Sequence, residues 1–177
     1  MKASKKAYTI IKHFEVSATT SVQAIVADVE KCDICDGIHV PATQAYLCPA
    51  QVWTIGYGHT KGVKRGDYCT VNQAENYLKQ DVAITENHLT KALNADEIEV
   101  NQDMFDALVS FAFNVKGGVS TLIHSTLWKK IKEKDKKSAA EEFNRWVYAT
   151  VDGQKVALKG LIKRRTAERK LFLSLDW

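Results

Sequence analysis

AYLCPAQVWTIGYGHT, residues 45–60, is where the chain changes character. Its second half, TIGYGHT (residues 54–60), sets β-branched and aromatic side chains around two glycines spaced two apart. That composition predicts β-structure from Tyr46 to Thr60. Glycines on either side of an aromatic serve one of two ends: a tight hairpin, or a backbone that comes close to a ligand. The residues alone leave both open.

Working outward, the chain reads as helix on either side. Residues 3–14 carry Ala7, Tyr8, Ile10, Ile11 and Phe14 at helical spacing, with lysines between them. Glu15 follows directly. A carboxylate partly buried beside Phe14 would have a raised pKa and could act as a general acid; the other reading is an exposed carboxylate at a helix end. Val22, Ile25, Val26 and Val29 suggest a short helix, and CDICDGIHVPATQ after it is rich in turn formers, punctuated by Gly37 and Pro41. Thr70 is suited to N-cap the stretch VNQAENYLKQDVAITENHL. Asn101 to Val115 is apolar nearly all round, which predicts a buried central helix ended by Gly117 and Gly118. Further helices are expected over 120–133, 137–149 and 161–174. No internal repeat or long linker is seen. The pattern predicts an α+β fold: a small β-containing N-terminal lobe and a larger helical lobe.

Composition agrees with a globular chain. Of 177 residues, 45% are hydrophobic and 26% charged, and nine Gly and two Pro exclude collagen-like or low-complexity sequence. The net charge of +4 suits an anionic partner without choosing among nucleic acid, membrane and cell wall. With so small an excess and no recognition motif, nucleic-acid binding is not expected. The N-terminus carries no apolar core of a secretory signal, and no stretch approaches a membrane span, so the expectation is a chain that starts in the cytoplasm and does not insert stably in a membrane.

Four cysteines, Cys32, Cys35, Cys48 and Cys69, allow three full pairings, or free thiols in a reducing compartment. Cys32 and Cys35 form a zinc half-site with His39 at tolerable spacing, but no second pair completes it, so neither metal nor cofactor is expected. A disulfide within residues 16–44, or from there to Cys48 or Cys69, is the alternative in an oxidising compartment. The stretch LIKRRTAERK raises Arg164 and Arg165, either as a solvated helix face with pairs such as Arg164 with Glu168, or as a contact for anionic polymer.

These blocks together resemble the phage-type lysozymes, or endolysins, of glycoside hydrolase family 24. IIKHFE resembles the first helix with its catalytic Glu, AYLCPAQVWTIGYGHT the active-site hairpin of lambdoid-phage endolysins, and TVNQAENYLKQDV the connecting helix. FDALVSFAFNVKGG resembles the core helix, followed in order by STLWKKI, AAEEFNRWVYA and GLIKRRTAERKLFL. The resemblance covers most of the chain. It implies hydrolysis of the β-1,4 bond between N-acetylmuramic acid and N-acetylglucosamine in peptidoglycan, for host lysis.

The family's site is a Glu, an Asp or Cys about nine positions on, and a Thr six further. Cys48 and Thr54 keep the second spacing, but Glu15 lies 33 positions before Cys48. Either residues 16–44 contain an insertion directly after the Glu, or the Glu has been lost; the match of IIKHFE favours insertion. His39, nine before Cys48, is no carboxylic acid. Gln51 stands where the family usually has Gly. The resemblance makes Glu15 the proton donor and gives Thr54 a water or substrate hydroxyl to hold. A neutral thiol at Cys48 is a poor carboxylate substitute, and Asp28, Glu30, Asp33 and Asp36 are candidates to supply the missing charge or a plain polar face. Substrate contacts are expected from Tyr57, His59 and Arg145, although His59 also suits a structural hydrogen bond and Tyr57, like Trp53, a core position. The expected layout is one lysozyme domain: first helix 1–15, insertion 16–44, β-hairpin lobe 45–70 and helical lobe 71–177. The expected partner is the peptidoglycan glycan strand, reached from the host cytoplasm through a holin-type pore and cut in the periplasm by a monomer. Lytic transglycosylation remains an alternative outcome at the same bond.

Overall fold

A computed structural model describes residues 1–16, 40–48, 51–151 and 153–175. The chain forms two compact units: Met1–Ile10 with Thr85–Trp177, and Ile11–Ile84.

The unit of residues 11–84 holds the second part of helix α1 (Lys5–Val16), strands β1 (Ala42–Leu47) and β2 (Trp53–Gly56), and the first part of α2 (Val71–Ala95). β1 and β2 are antiparallel, with Tyr46 opposite Thr54 and Leu47 opposite Trp53. The other side of β1 is covered by the chain at 67–69: Ala45 N–H donates to Asp67 O at 2.9 Å and Cys69 N–H to Thr43 O at 2.8 Å. β1 starts at Ala42, so the β lobe reaches three residues into the stretch read as insertion. Ile11, Ile55, Tyr57, Ala74, Leu78 and Val82 form the core of this unit. Thr70 caps α2 as expected, and reciprocally: Gln73 N–H donates to Thr70 Oγ1 at 3.2 Å, and Thr70 N–H to Gln73 Oε1 at 2.8 Å.

The unit of residues 1–10 and 85–177 is built around α3 (Gln102–Asn114). Asn101 caps it through Met104 N–H at 2.9 Å, and Phe105 to Ala112 are all buried, as the all-round apolar sequence predicts. Phe111 meets Phe143 edge to face at 5.3 Å, and Phe143 meets Phe172 at 5.5 Å. Two carboxylates tie the chain's first residues into this unit. Glu86 accepts from Lys2 Nζ at 2.9 Å and Ala3 N–H at 2.7 Å, and Asp106 accepts from Ser4 N–H at 2.9 Å and from the Ser4 hydroxyl.

Two of the expected helices are corrected. The stretch 120–133 is two helices, α4 (Gly118–Ile123) and α5 (Thr126–Lys132), because Ser125 turns the chain and caps α5 through Trp128 N–H at 3.2 Å. The stretch 137–149 is helical only in α6 (Lys136–Glu142) and a 3-10 turn at Phe143–Arg145. It then becomes strand β3 (Tyr148–Val151), which pairs antiparallel with β4 (Gln154–Ala157). The Asp152-Gly153 pair after Thr150 and Val151 is a hairpin signal, and Gly153 adopts φ +77°. Helix α7 (Lys159–Phe172) closes the fold. Among the described residues, no helix is long and apolar enough to cross a membrane.

Both readings of Arg164 and Arg165 are also corrected. The two side chains are buried, at 2% and 1% exposure, and flank the fully buried Glu168. Arg164 Nε donates to Glu168 Oε1 at 3.1 Å, Arg165 Nη1 donates to Glu168 Oε2, and Ser110 Oγ adds a bond at 2.8 Å. The Arg164–Glu168 pair exists, but inside the protein rather than on a solvated face.

Candidate active site

The site is assembled within the unit of residues 11–84. Glu15 sits in the last turn of α1, half-buried. Ile55 and His59 exchange backbone hydrogen bonds at 2.9 Å in both directions, closing a tight turn through Gly56-Tyr57-Gly58. The tight-turn reading of the paired glycines holds there. Gly56, at φ +66°, lies against α2, where an added Cβ would meet Ala74 Cβ at 3.2 Å. Gly58, at φ +90°, lies against the Glu15 carboxyl, where an added Cβ would meet Oε2 at 3.1 Å. The second glycine therefore leaves room for the acid as well as making the turn.

The hairpin supplies the neighbours. Cys48 N–H donates to Val52 O at 3.0 Å and Gln51 N–H to Cys48 O at 2.8 Å. Gln51 makes this turn at φ +60°, a left-handed conformation that glycine adopts without strain. Cys48 is half-buried at the end of β1. Strand alternation puts Tyr46 on the same face as Cys48, and the ladder puts it opposite Thr54. Burial and the nearby Glu15 and Cys48 raise the Tyr46 hydroxyl above its usual pKa, in that order of size. Glu15, Tyr46, Cys48 and Thr54 are thus brought together. Thr54 is 4% exposed and donates its hydroxyl proton to Val52 O at 3.0 Å, so what it offers a water molecule is its lone pairs.

Tyr46 was not among the residues singled out from sequence. Its signal was available: it stands two positions before Cys48 in a strand, hence on the same face.

Tyr57 and His59 fall differently from the expected sugar contacts. Tyr57 is a core residue, 2% exposed, whose hydroxyl donates to Glu75 Oε1 at 3.0 Å. Burial and Glu75 hold that phenol far above its ordinary range. His59 Nδ1 lies 2.8 Å from Asp81 Oδ2, and its Nε2 lies 3.1 Å from the Lys61 carbonyl. Its ring stacks on Tyr77 at 4.5 Å. Both ring nitrogens are engaged by the protein, which supports the structural role. Trp53 is half-buried. Arg145 belongs to the other unit, where it is exposed and pairs with Glu142 at 3.1 Å.

Cys69 is a free, buried thiol whose pKa burial raises. Among the described residues, no group of three or more His, Cys, Asp or Glu is placed to hold a metal. Cys32, Cys35, His39, Asp28, Glu30, Asp33 and Asp36 lie outside the described residues, and with them the proposed disulfide partners, the zinc half-site and the substitute carboxylates.

Known proteins agree with this geometry. The sequence model of the family described as Phage lysozyme matches residues 39–168. An endolysin of Acyrthosiphon pisum secondary endosymbiont phage 1 is 42% identical over 132 residues, covering 74% of this chain and 86% of its own length. The chain spans about half the length of the Bacillus phage endolysins it also matches. Among solved structures, the endolysin from Escherichia coli O157:H7 phage FAHEc1 superposes with a TM-score of 0.73 at 33% identity, covering 98% of this chain and 94% of that one. The muramidase domain of SpmX from Asticaccaulis excentricus superposes with a TM-score of 0.75 at 28% identity, covering 98% of both. The match over residues 39–168, together with the relative's 42% identity, establishes that the chain belongs to the phage lysozyme family.

Proposed function

We propose that this chain is a muramidase that cuts the β-1,4 bond between N-acetylmuramic acid and N-acetylglucosamine in host peptidoglycan, causing lysis. One observation carries the reading: the Glu15 carboxyl lies against Gly58 of the GYGHT turn, beside the Tyr46, Cys48 and Thr54 face of the hairpin. Glycoside hydrolysis needs a carboxylic acid to protonate the leaving oxygen and a water molecule to attack the anomeric carbon. Glu15 supplies the proton. Cys48 and Thr54 orient the water, with a thiol in place of a charged carboxylate. The 33-position gap between Glu15 and Cys48 is accounted for by an insertion, since Glu15 keeps its place beside the hairpin despite it.

The family's name and those of its relatives support action on the host wall. We place synthesis in the host cytoplasm and release through a holin-type pore, with a monomer acting on periplasmic murein. Expression of the chain alone should then leave cells intact until their membrane is opened.

The test is clearing of outer-membrane-permeabilised Gram-negative cells, followed by turbidity, with wild type against Glu15→Gln. Gln keeps the shape and loses the proton. Clearing by wild type alone is the expected result. Clearing by both would move the acid to another residue. Clearing by neither, with murein binding intact, would make the chain a wall-binding module.

A further inference from the structure

Glu75 takes no part in the chemistry proposed above, yet three elements of the unit of residues 11–84 converge on it. One of its carboxylate oxygens, Oε1, has two partners. It accepts from the Tyr57 hydroxyl at 3.0 Å and pairs with Lys12 Nζ at 2.8 Å. Lys12 belongs to α1, Tyr57 to the GYG turn and Glu75 to the start of α2. Lys12 Nζ also lies over the Tyr57 ring, 5.5 Å from its centre. The three side chains therefore close a triangle in which each lies against the other two.

Two corners of the triangle adjoin the acid. Lys12 precedes Glu15 by three positions, which makes the two side chains neighbours on one face of α1. Tyr57 precedes Gly58, which lies against the Glu15 carboxyl. On the other side of Tyr57, Gly56 packs on Ala74, the residue before Glu75. The turn thus meets α2 through Gly56 and Tyr57 and meets α1 through Gly58 and the Tyr57 ring, while the Lys12–Glu75 pair joins the two helices directly. Tyr57 is buried, and burial together with Glu75 keeps its phenol protonated, so it is always the donor. The Lys12 and Glu75 side chains are 32% and 26% exposed, and an ion pair that open contributes little to stability. Its geometry matters more than its strength.

We propose that Glu75 is a positioning residue for Glu15: by gathering Lys12 and the Tyr57 hydroxyl onto one oxygen, it sets the last turns of α1 against the turn that carries Gly58. The inference rests on the muramidase reading and adds a residue to it. Glu75, Lys12 and Tyr57 act through the placing of the acid, not by touching the reacting atoms. Release of any one of them lets α1 shift against the turn, and the acid moves away from the bond it must protonate while the wall strand is still bound.

The test is the rate of breakdown of purified murein against murein concentration, measured on the full chain, with circular dichroism showing each variant folded at the assay temperature. Glu75→Gln, Lys12→Met and Tyr57→Phe should each lower the maximal rate about tenfold to a hundredfold and leave the half-saturating concentration unchanged. Lys12→Arg keeps the cation and should hold most of the rate. Glu75→Gln combined with Lys12→Met should lose no more than either alone, because the groups act as a unit. Tyr57→Phe removes one oxygen from a core ring and stands in for Glu75→Gln should that variant fail to fold. The control is Lys6→Met, which breaks the 2.7 Å ion pair of the first turn of α1 with Asp103 and should run at the wild-type rate. Folded variants as fast as wild type would overturn the proposal, as would Lys12→Arg as slow as Lys12→Met, losses that multiply in the double variant, or an equal fall in Lys6→Met. A rise in half-saturating concentration at an unchanged rate would also overturn it, and make these residues wall contacts. Wild type that breaks no murein would overturn the muramidase reading and this inference together; active wild type matched by its variants would overturn this inference alone.

Discussion

Gly58 shows how much a single residue can decide. Its missing side chain gives the GYG turn a φ of +90° and leaves the space that the Glu15 carboxyl occupies. Gly58→Ala would put a methyl 3.1 Å from Oε2 and strain the turn as well. Displacement of a catalytic group by about 1 Å costs on the order of a hundredfold in rate. The expected result is a fall of that size in the rate of cell clearing, with binding to purified murein retained. The same residue measures what the sequence could tell. TIGYGHT announced a tight turn, and the structure has it. The Glu15 helix was legible from IIKHFE, but its place beside the hairpin was not, because residues 16–44 separate them in sequence. Tyr57 and His59 each carried two readings, sugar contact or structural residue, and sequence left them open for a physical reason. An aromatic or a histidine in a turn carries no sequence mark of the side it faces, and here Glu75 and Asp81 on α2 draw both polar ends inward.

Among the elements, the long helices were readable and the short irregular ones were not. α3 announced itself through apolar residues all round. The break at Ser125 and the change to strand at Tyr148 were missed because local helical spacing outweighed a serine cap and an Asp-Gly turn. α7 was read as solvated because Arg and Glu are rarely buried; here three of them satisfy one another. Glu168 accepts from two buried guanidiniums. Glu168→Gln keeps the shape and removes the negative charge between two buried cations, and should cost about 3–5 kcal/mol in a urea titration. Asp96, just past the end of α2, accepts from Trp128 Nε1 at 2.7 Å and from Lys132 Nζ at 3.0 Å. Chiefly the indole bond, and then the lysine, hold its carboxyl below the usual carboxylate range. Because the folded pKa is the lower one, this contribution is present above the unfolded value of about 3.9 and is lost as pH falls through the folded value. Unfolding curves of wild type and Asp96→Asn should therefore differ at pH 6 and converge as the solution is taken below about pH 3.

Across the whole molecule, the α+β class, the order of the blocks and a β-containing part distinct from a helical one were legible, while the joining of Met1–Ile10 to the helical unit was not. The stretch read as insertion is testable at this scale. Removal of residues 17–40 would bring Glu15 to nine positions before Cys48, the family spacing. The shortened chain should keep its far-ultraviolet circular dichroism and clear permeabilised cells. A chain that fails to fold without these residues would make them integral to the protein.

The unit of residues 11–84 is continuous in sequence, whereas the other takes its first ten residues from one end and the remainder from Thr85 onward. During synthesis the continuous unit has all of its residues once Ile84 has left the ribosome. The other unit must hold Lys2, Ala3 and Ser4 in waiting until Glu86 and Asp106 emerge, and cannot form the pairs of Arg164 and Arg165 with Glu168 until residue 168 has been made. The newborn chain therefore carries Glu15 and its hairpin well before the other unit can close its buried ion cluster.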